Sequence, residues 1–359
     1  MDAQSACELL RHFTGTSVGP WMKIVSEIPT HLQPMPVVSG ALPISSNVSA
    51  HKIAHASKLS IFLHDTIETF KLRVTAMVVL TAWAGFHLGS VQFGIFSFNP
   101  TLLNTLLGVA LVSGGSSVMN QVFERRSDAK MLRTARRPLA AGRMGLVYGV
   151  CLGMAAIASG SIWLAVRTNP VTGILTLLTA VTYVGIYTPL KRHTTLATFI
   201  GAFPGAMPPL IGWTAARGAI EWPAVALFAI LFVWQIPHFM AIAWLYREDY
   251  GRASLRMLPV VEPDGWSTAM EALIYAILMI PVSLVPYMLH IEGRWYLAIA
   301  TLLGLGYLFY TIRFFRIAHT PNASQSRSYA RALLKASVIY LPLLLAIMML
   351  NAQHKEFLP

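Results

Sequence analysis

Largely apolar runs of about twenty residues, each with at most one charged residue, recur between residues 73 and 350 of this 359-residue chain, and each is long enough to cross about 30 Å of hydrocarbon as a helix. Nine candidate spans follow one another, at about 73–90, 101–121, 145–166, 170–187, 194–215, 222–245, 268–290, 295–314 and 333–350. The third and fourth are separated only by RTNP, which makes them an antiparallel hairpin. Composition agrees: 12% of residues are charged and mean hydropathy is +0.58, against about a quarter charged in a soluble domain. The expected fold class is all-α, a polytopic membrane bundle of about nine transmembrane helices. The net charge of +12 then reads as basic loops held on one side of a membrane rather than as a nucleic-acid surface.

Residues 1–62 carry scattered Ser, Pro, Gly and His with no sustained apolar period, and read as an unstructured N-terminal extension preceding a domain over 63–352. Within the junction, KLSIFLHDTIETFKL (58–72) reads as an amphipathic helix lying on the membrane surface. Neither a secretory h-region nor an acid-poor transit peptide is legible, which favours a bacterial inner membrane over a mitochondrial one. Orientation follows from Lys/Arg bias. With a cytoplasmic N-terminus the inner loops hold sixteen Lys/Arg and the outer loops only Arg167, Arg217 and Arg294, so the C-terminus is expected outside. Cys7 and Cys151 are too far apart in type of segment to suggest a framework. Cys151 reads as a small buried apolar residue, and Trp213, Trp234 and Trp244 as cavity lining or interfacial belt.

Against this apolar background the charge of NQVFERRSDAKMLRTARRPLAAGRM (120–144) stands out, with seven Lys/Arg and two acids. Only nine acids occur between residues 69 and 355. Four of them, Glu124, Asp128, Glu248 and Asp249, fall in this loop and in YREDYGRASLRMLPVV (246–261), which lies four spans later on the same face. Asn120, Glu124 and Asp128 are spaced by four, so a second span that continues helically puts all three along one stripe. Mg²⁺ takes such oxygen donors together with a substrate's phosphates. Two carboxylate groups, two Mg²⁺ and the neighbouring Lys130, Arg133, Arg136 and Arg137 would cradle a diphosphate as a leaving group. The plainer alternative is a solvated loop with local ion pairs. A transporter with paired repeats is a third reading, but it predicts charges near the bilayer midplane rather than at one face.

The string Asn120-x₃-Glu124-x₃-Asp128 resembles the first acidic motif of the UbiA-type intramembrane prenyltransferases, commonly N-D-x-x-D-x-x-x-D, with Gln121 and Glu124 replacing two aspartates. The longer pattern NQ-x-x-E-x-x-x-D-x-x-M-x-R-T-x-x-R-P-L is similar to the branch of that family whose prenyl acceptor is haem. YTPLK (187–191), GAFPGAMPPLIGW (201–213), WQIPHFMAIAWLYREDY (234–250) and MLPVV (257–261) agree, so the resemblance covers roughly residues 65–350. It implies transfer of a farnesyl group from farnesyl diphosphate to a vinyl group of haem b, for haem–copper oxidases, with haem A synthase as an expected partner. Metal ligands implied are Asn120, Glu124, Asp128, Glu248 and Asp249, with Asn120, Glu124, Asp128 and Asp249 central to catalysis. Diphosphate contacts implied are Lys130, Arg133, Arg137, Tyr187, Lys191 and Arg192. A D-x-x-x-D reading from Asp249 ends on Ala253, which cannot bind metal, and this reduces the second ion's expected ligands. His238 is the expected haem contact. A quinone precursor or chlorophyll-type ring is the alternative acceptor.

Overall fold

The computed structural model describes residues 58–96, 98–321 and 324–352. Residues 1–57 of the expected extension lie outside the described residues, and residues 58–62 already belong to the first helix. That helix, α1 (Lys58–Thr69), turns Ile61, Phe62, Leu63 and Ile67 outward while burying Asp65 and Thr69, as a helix lying in a membrane interface does. Nine long helices follow among the described residues: α2 (Leu72–Val91), α3 (Pro100–Asp128), α4 (Leu146–Arg167), α5 (Pro170–Leu190), α6 (Ala197–Arg217), α7 (Trp222–Leu245), and, after the short α8 (Arg247–Arg252), α9 (Trp266–Met288), α10 (Arg294–Phe315) and α11 (Ser324–Asn351). Eight are long and apolar enough to span a membrane; α6 is the exception by composition, because prolines and small residues lower its hydropathy. The expected all-α architecture of about nine spans is the observed one.

Local chemistry explains several boundaries. The pairs Asn99–Pro100 and Asn169–Pro170 start α3 and α5: each Asn side chain accepts a hydrogen bond three residues on, from Leu102 N and Thr172 N, both at 3.0 Å, and each Pro fills a position whose N–H is free anyway. The fourth span contains a π-helical turn over Thr182–Tyr187. Pro189 cannot donate to the carbonyl four residues back and its ring presses on it; the Thr188 N–H and hydroxyl instead reach Tyr183 O, the latter at 2.8 Å.

Helices α2 to α6 form a ring in which α3 packs on α4, α4 on α5, α5 on α6, and α6 on α2. The α2–α6 crossing is backbone against backbone. A Cβ on Gly85 would lie 1.9 Å from Pro209 O, and one on Gly212 would lie 1.9 Å from Ala82 O. Small residues therefore set this crossing, as is usual for helices in lipid. The second half, α7 with α9 to α11, is packed solid around Trp244, Met279, Tyr296, Tyr307 and Phe314. Trp213 and Trp244, expected as cavity lining or interfacial belt, are fully buried in that core, where aromatic bulk fills the helix interfaces. Cys151 also differs from expectation, since it stands on the exposed face of α4, whose buried face is instead made by Gly149, Gly153 and Ala156.

Candidate active site

Helix α3 runs unbroken from Pro100 to Asp128, well past the apolar run that ends near residue 121, and so carries Asn120, Glu124 and Asp128 along one buried stripe. The stripe faces a chamber of about 170 Å³ lined by Lys71, Asn120, Glu124, Asp128, Arg133, Arg137, Tyr183, Tyr187, Lys191 and Tyr250, among others. Ionisable groups gathered at this depth are expensive unless paired or functional. Most are paired: Lys191 Nζ donates to Glu124 Oε1 at 2.7 Å, and Arg137 Nη1 to Asp128 Oδ2 at 2.8 Å. Burial disfavours the Lys191 ammonium, but Tyr187 and Glu124 more than offset it and its pKa stands above the ordinary lysine value. The ammonium also lies 4.4 Å from the centre of the Tyr187 ring.

The loop after α3 is shaped by α3 itself. Thr134 Oγ1 donates to Asp128 O at 2.9 Å, and Met131 packs on Ala253 and Leu255 of the second acidic loop. Leu132 N donates to Asp249 Oδ1 at 3.3 Å, and Arg256 N to Lys191 O at 2.9 Å. The two acidic segments, four spans apart in sequence, therefore meet. Arg133 lies over the Tyr246 ring at 4.7 Å. Burial raises the pKa of the Tyr250 hydroxyl.

Not every expected residue enters the chamber. Asp249 is buried beside it, ion-paired with Arg252. Glu248 points outward, 62% exposed, and pairs with Arg327. Lys130 is exposed, and Arg192 crosses to Ser127 Oγ at 3.0 Å on the outside of α3. His238 turns towards α11: its Nδ1 lies 2.7 Å from Ser337 Oγ, with Trp234 stacked on the ring at 4.9 Å. Ser337 Oγ gives its own proton to Leu334 O, so it accepts from His238 Nδ1–H.

Three of the chamber residues named above, Lys71, Tyr183 and Tyr250, were missed by sequence reasoning. Lys71, at the break between α1 and α2, has φ +48° and sends Nζ to Asn120 Oδ1 at 3.1 Å. It forms no ion pair among the described residues, and burial, with Arg137 nearby, pushes its pKa down to about 7. In sequence it looks like an interfacial anchor at the start of a span. Tyr183 stands four residues before Tyr187, a spacing that signals a shared helix face.

The donor set suits Mg²⁺. Asp128 Oδ1 is buried without a hydrogen-bond partner, beside Glu124 and the Asn120 amide, all hard oxygen donors. Beyond the chamber, an apolar cavity of about 300 Å³ extends between α2, α3, α5 and α6, walled by Val74, Val78, Val112, Pro204 and Pro208, with Phe239 of α7. Tyr183 and Tyr187 line both spaces.

Known proteins resemble this chain in sequence and in fold. The chain is 50% identical to a protoheme IX farnesyltransferase of Koribacter versatilis, over 80% of this chain and 93% of that one. It is 42% identical to a protoheme IX farnesyltransferase of Solibacter usitatus, over 80% and 99%. In fold it is similar to the solved digeranylgeranylglyceryl phosphate synthase, with a TM-score of 0.65 at 19% identity over 80% of this chain and 98% of that one. A UbiA homologue from Archaeoglobus fulgidus, solved with DMAPP and Mg²⁺ bound, aligns with a TM-score of 0.54 at 16% identity over 78% and 96%. The profile of the UbiA prenyltransferase family matches residues 77–350, and the chain belongs to that family.

Proposed function

We propose that this chain transfers the farnesyl group of farnesyl diphosphate to a vinyl group of haem b, giving haem O. The observation that carries the reading is the join between a small chamber of paired carboxylates and cations and a larger apolar cavity. A diphosphate ester with a long hydrocarbon tail has that division of character. The activity named for the relatives that share 42–50% of their residues with it supports haem as the acceptor.

Lys71, Arg133, Arg137 and Lys191 would meet the diphosphate, Arg133 and Arg137 as forked donors and the lysines as point charges. Asn120, Glu124 and Asp128, with Asp249 at the edge, would hold Mg²⁺. The metal, when bound, neutralises charge on the departing diphosphate. The C1–O bond breaks and its electron pair leaves with the diphosphate oxygen. The vinyl π pair of haem b then forms the new bond to C1, and water adds to the haem-side cation and releases a proton, leaving a hydroxyethylfarnesyl substituent. The apolar cavity keeps water from the allylic cation until the acceptor has reacted. The reading does not need His238, whose ring faces α11.

The Lys/Arg bias of the loops supports a cytoplasmic N-terminus in a bacterial inner membrane, with the chamber at the cytoplasmic mouth. Haem O made there would pass to haem A synthase. The test supplies membranes with haem b, farnesyl diphosphate and Mg²⁺ and follows haem O by mass spectrometry. Product from the parent chain, lost in Asp128→Ala and under EDTA, supports the assignment. Unmodified haem b alongside prenylated 4-hydroxybenzoate would keep the family chemistry and sink the acceptor.

A further inference from the structure

The neck between the chamber and the apolar cavity is made by two tyrosine rings, Tyr183 and Tyr187, with centroids 5.5 Å apart and planes inclined at 37°. Three local features hold them there. The π turn over Thr182–Tyr187 carries both rings on one widened stretch of α5, and π turns gather at functional sites. Pro189, which has no N–H to donate, stands just after that turn. Gly201 of α6 makes room, because a Cβ there would lie 2.4 Å from the Tyr187 ring.

The neck is where the chemistry must happen. If the charged chamber holds the diphosphate and the tail occupies the apolar cavity, the carbons joining them, C1 to C3 of the prenyl chain, pass alongside this pair of packed rings. When the C1–O bond breaks, the electron pair leaves on the diphosphate oxygen and the positive charge spreads over C1 and C3. An aromatic face attracts a cation, most strongly where water is excluded. The two rings are not equivalent in this respect. The Lys191 ammonium already lies 4.4 Å from the Tyr187 ring centre, whereas no ammonium or guanidinium lies over Tyr183 among the described residues.

We propose that Tyr183 is a catalytic residue whose ring face stabilises the allylic cation, with Tyr187 closing the neck beside it. The inference rests on the prenyl-transfer reading and adds to it a residue outside the acidic and basic motifs.

A ring in a narrow neck also fills space, so the experiment must vary electrostatics at nearly constant shape. In the full-length protein Tyr183→Phe serves as the reference, and mono-, di- and trifluorophenylalanine then replace that residue. Fluorine withdraws electron density from the face and leaves its size almost unchanged. Single-turnover release of diphosphate from farnesyl diphosphate is followed with haem b and Mg²⁺ present. The expected result is a stepwise fall in rate with each fluorine, on the order of tenfold across the series, with KM for farnesyl diphosphate steady. Tyr183→Leu should lower the rate by about ten- to thirtyfold. A flat fluorine series would overturn the proposal and leave Tyr183 as packing. A parent chain that prenylates no acceptor would overturn the underlying reading as well, and the two failures are distinguishable.

Discussion

Lys71 Nζ reaches Asn120 Oδ1 across 3.1 Å, tying the end of the interfacial helix to the first residue of the acidic stripe. Glu124 and Asp128 are already matched by Lys191 and Arg137, and among the described residues Lys71, like Arg133 over the Tyr246 ring, has only a neutral partner. An incoming diphosphate supplies the missing negative charge. Lys71→Met is expected to raise KM for farnesyl diphosphate by roughly ten- to a hundredfold, the value of one charge-assisted hydrogen bond. Lys71→Arg should recover part of it. Steady-state kinetics on both variants checks this, and an unchanged KM for Lys71→Met would remove Lys71 from the diphosphate site.

The acidic residues should separate in their response to Mg²⁺. Asp128 keeps one oxygen on Arg137 and leaves the other buried and unpartnered, whereas Glu248 faces outward to Arg327. Asp128→Asn is expected to lower turnover by about a hundredfold or more and to move the Mg²⁺ activation midpoint upward. Glu248→Gln should move that midpoint little. A Mg²⁺ titration of activity for each variant decides, and a large shift for Glu248→Gln would mean its side chain swings inward on metal binding.

Much of this was legible because membrane folding leaves a strong periodic record. The expected spans all coincide with long helices, since every backbone group in hydrocarbon must bond within its own helix. The stripe of Asn120, Glu124 and Asp128 was legible for a related reason: spacing by four has one meaning once the helix continues. What spacing could not say is which way a side chain turns at a helix end. Glu248 and Asp249 are neighbours, yet one is exposed and the other buried. Lys71 was hidden because its approach depends on a left-handed backbone at the α1–α2 break, and Trp213 and Trp244 because amphipathic tryptophan suits a core as well as an interface.

The α2–α6 crossing predicts a folding defect distinct from any loss of chemistry. Gly212 meets the Ala82 carbonyl where a Cβ would sit 1.9 Å away, and backbone cannot step aside as a side chain can. Gly212→Val should destabilise the bundle by about 1–3 kcal/mol or more, as overpacking does, and lower its melting temperature in detergent. Gly218, where a Cβ would meet nothing within 4 Å, has φ +75°, so Gly218→Asn, which tolerates that conformation, should leave the melting temperature nearly unchanged. Equal losses at both positions would mean the crossing is not the cause.

The bidentate pair between Arg143 and Asp65 joins α1 to the basic loop, at 2.9 Å from Nε and 3.0 Å from Nη2. The same guanidinium donates to Arg136 O at 3.0 Å, so one side chain holds both the interfacial helix and the loop bearing Arg133 and Arg137. Its hydrogen bonds keep the Asp65 carboxyl below the ordinary value of 3.8. The sign of the pH effect follows. In the unfolded chain Asp65 takes up a proton near its ordinary value, and in the folded chain only at lower pH, so its stabilising effect is complete above that value and is lost as pH falls through the folded one. The difference in melting temperature between the parent protein and Asp65→Asn should therefore shrink as pH falls below about 4. Carboxylates away from Arg143 titrate alike in both proteins and drop out of the difference; Glu68, 3.7 Å from Arg143 Nη2, is the exception. A gap that stays constant as pH falls well below 3.8 would contradict the pairing.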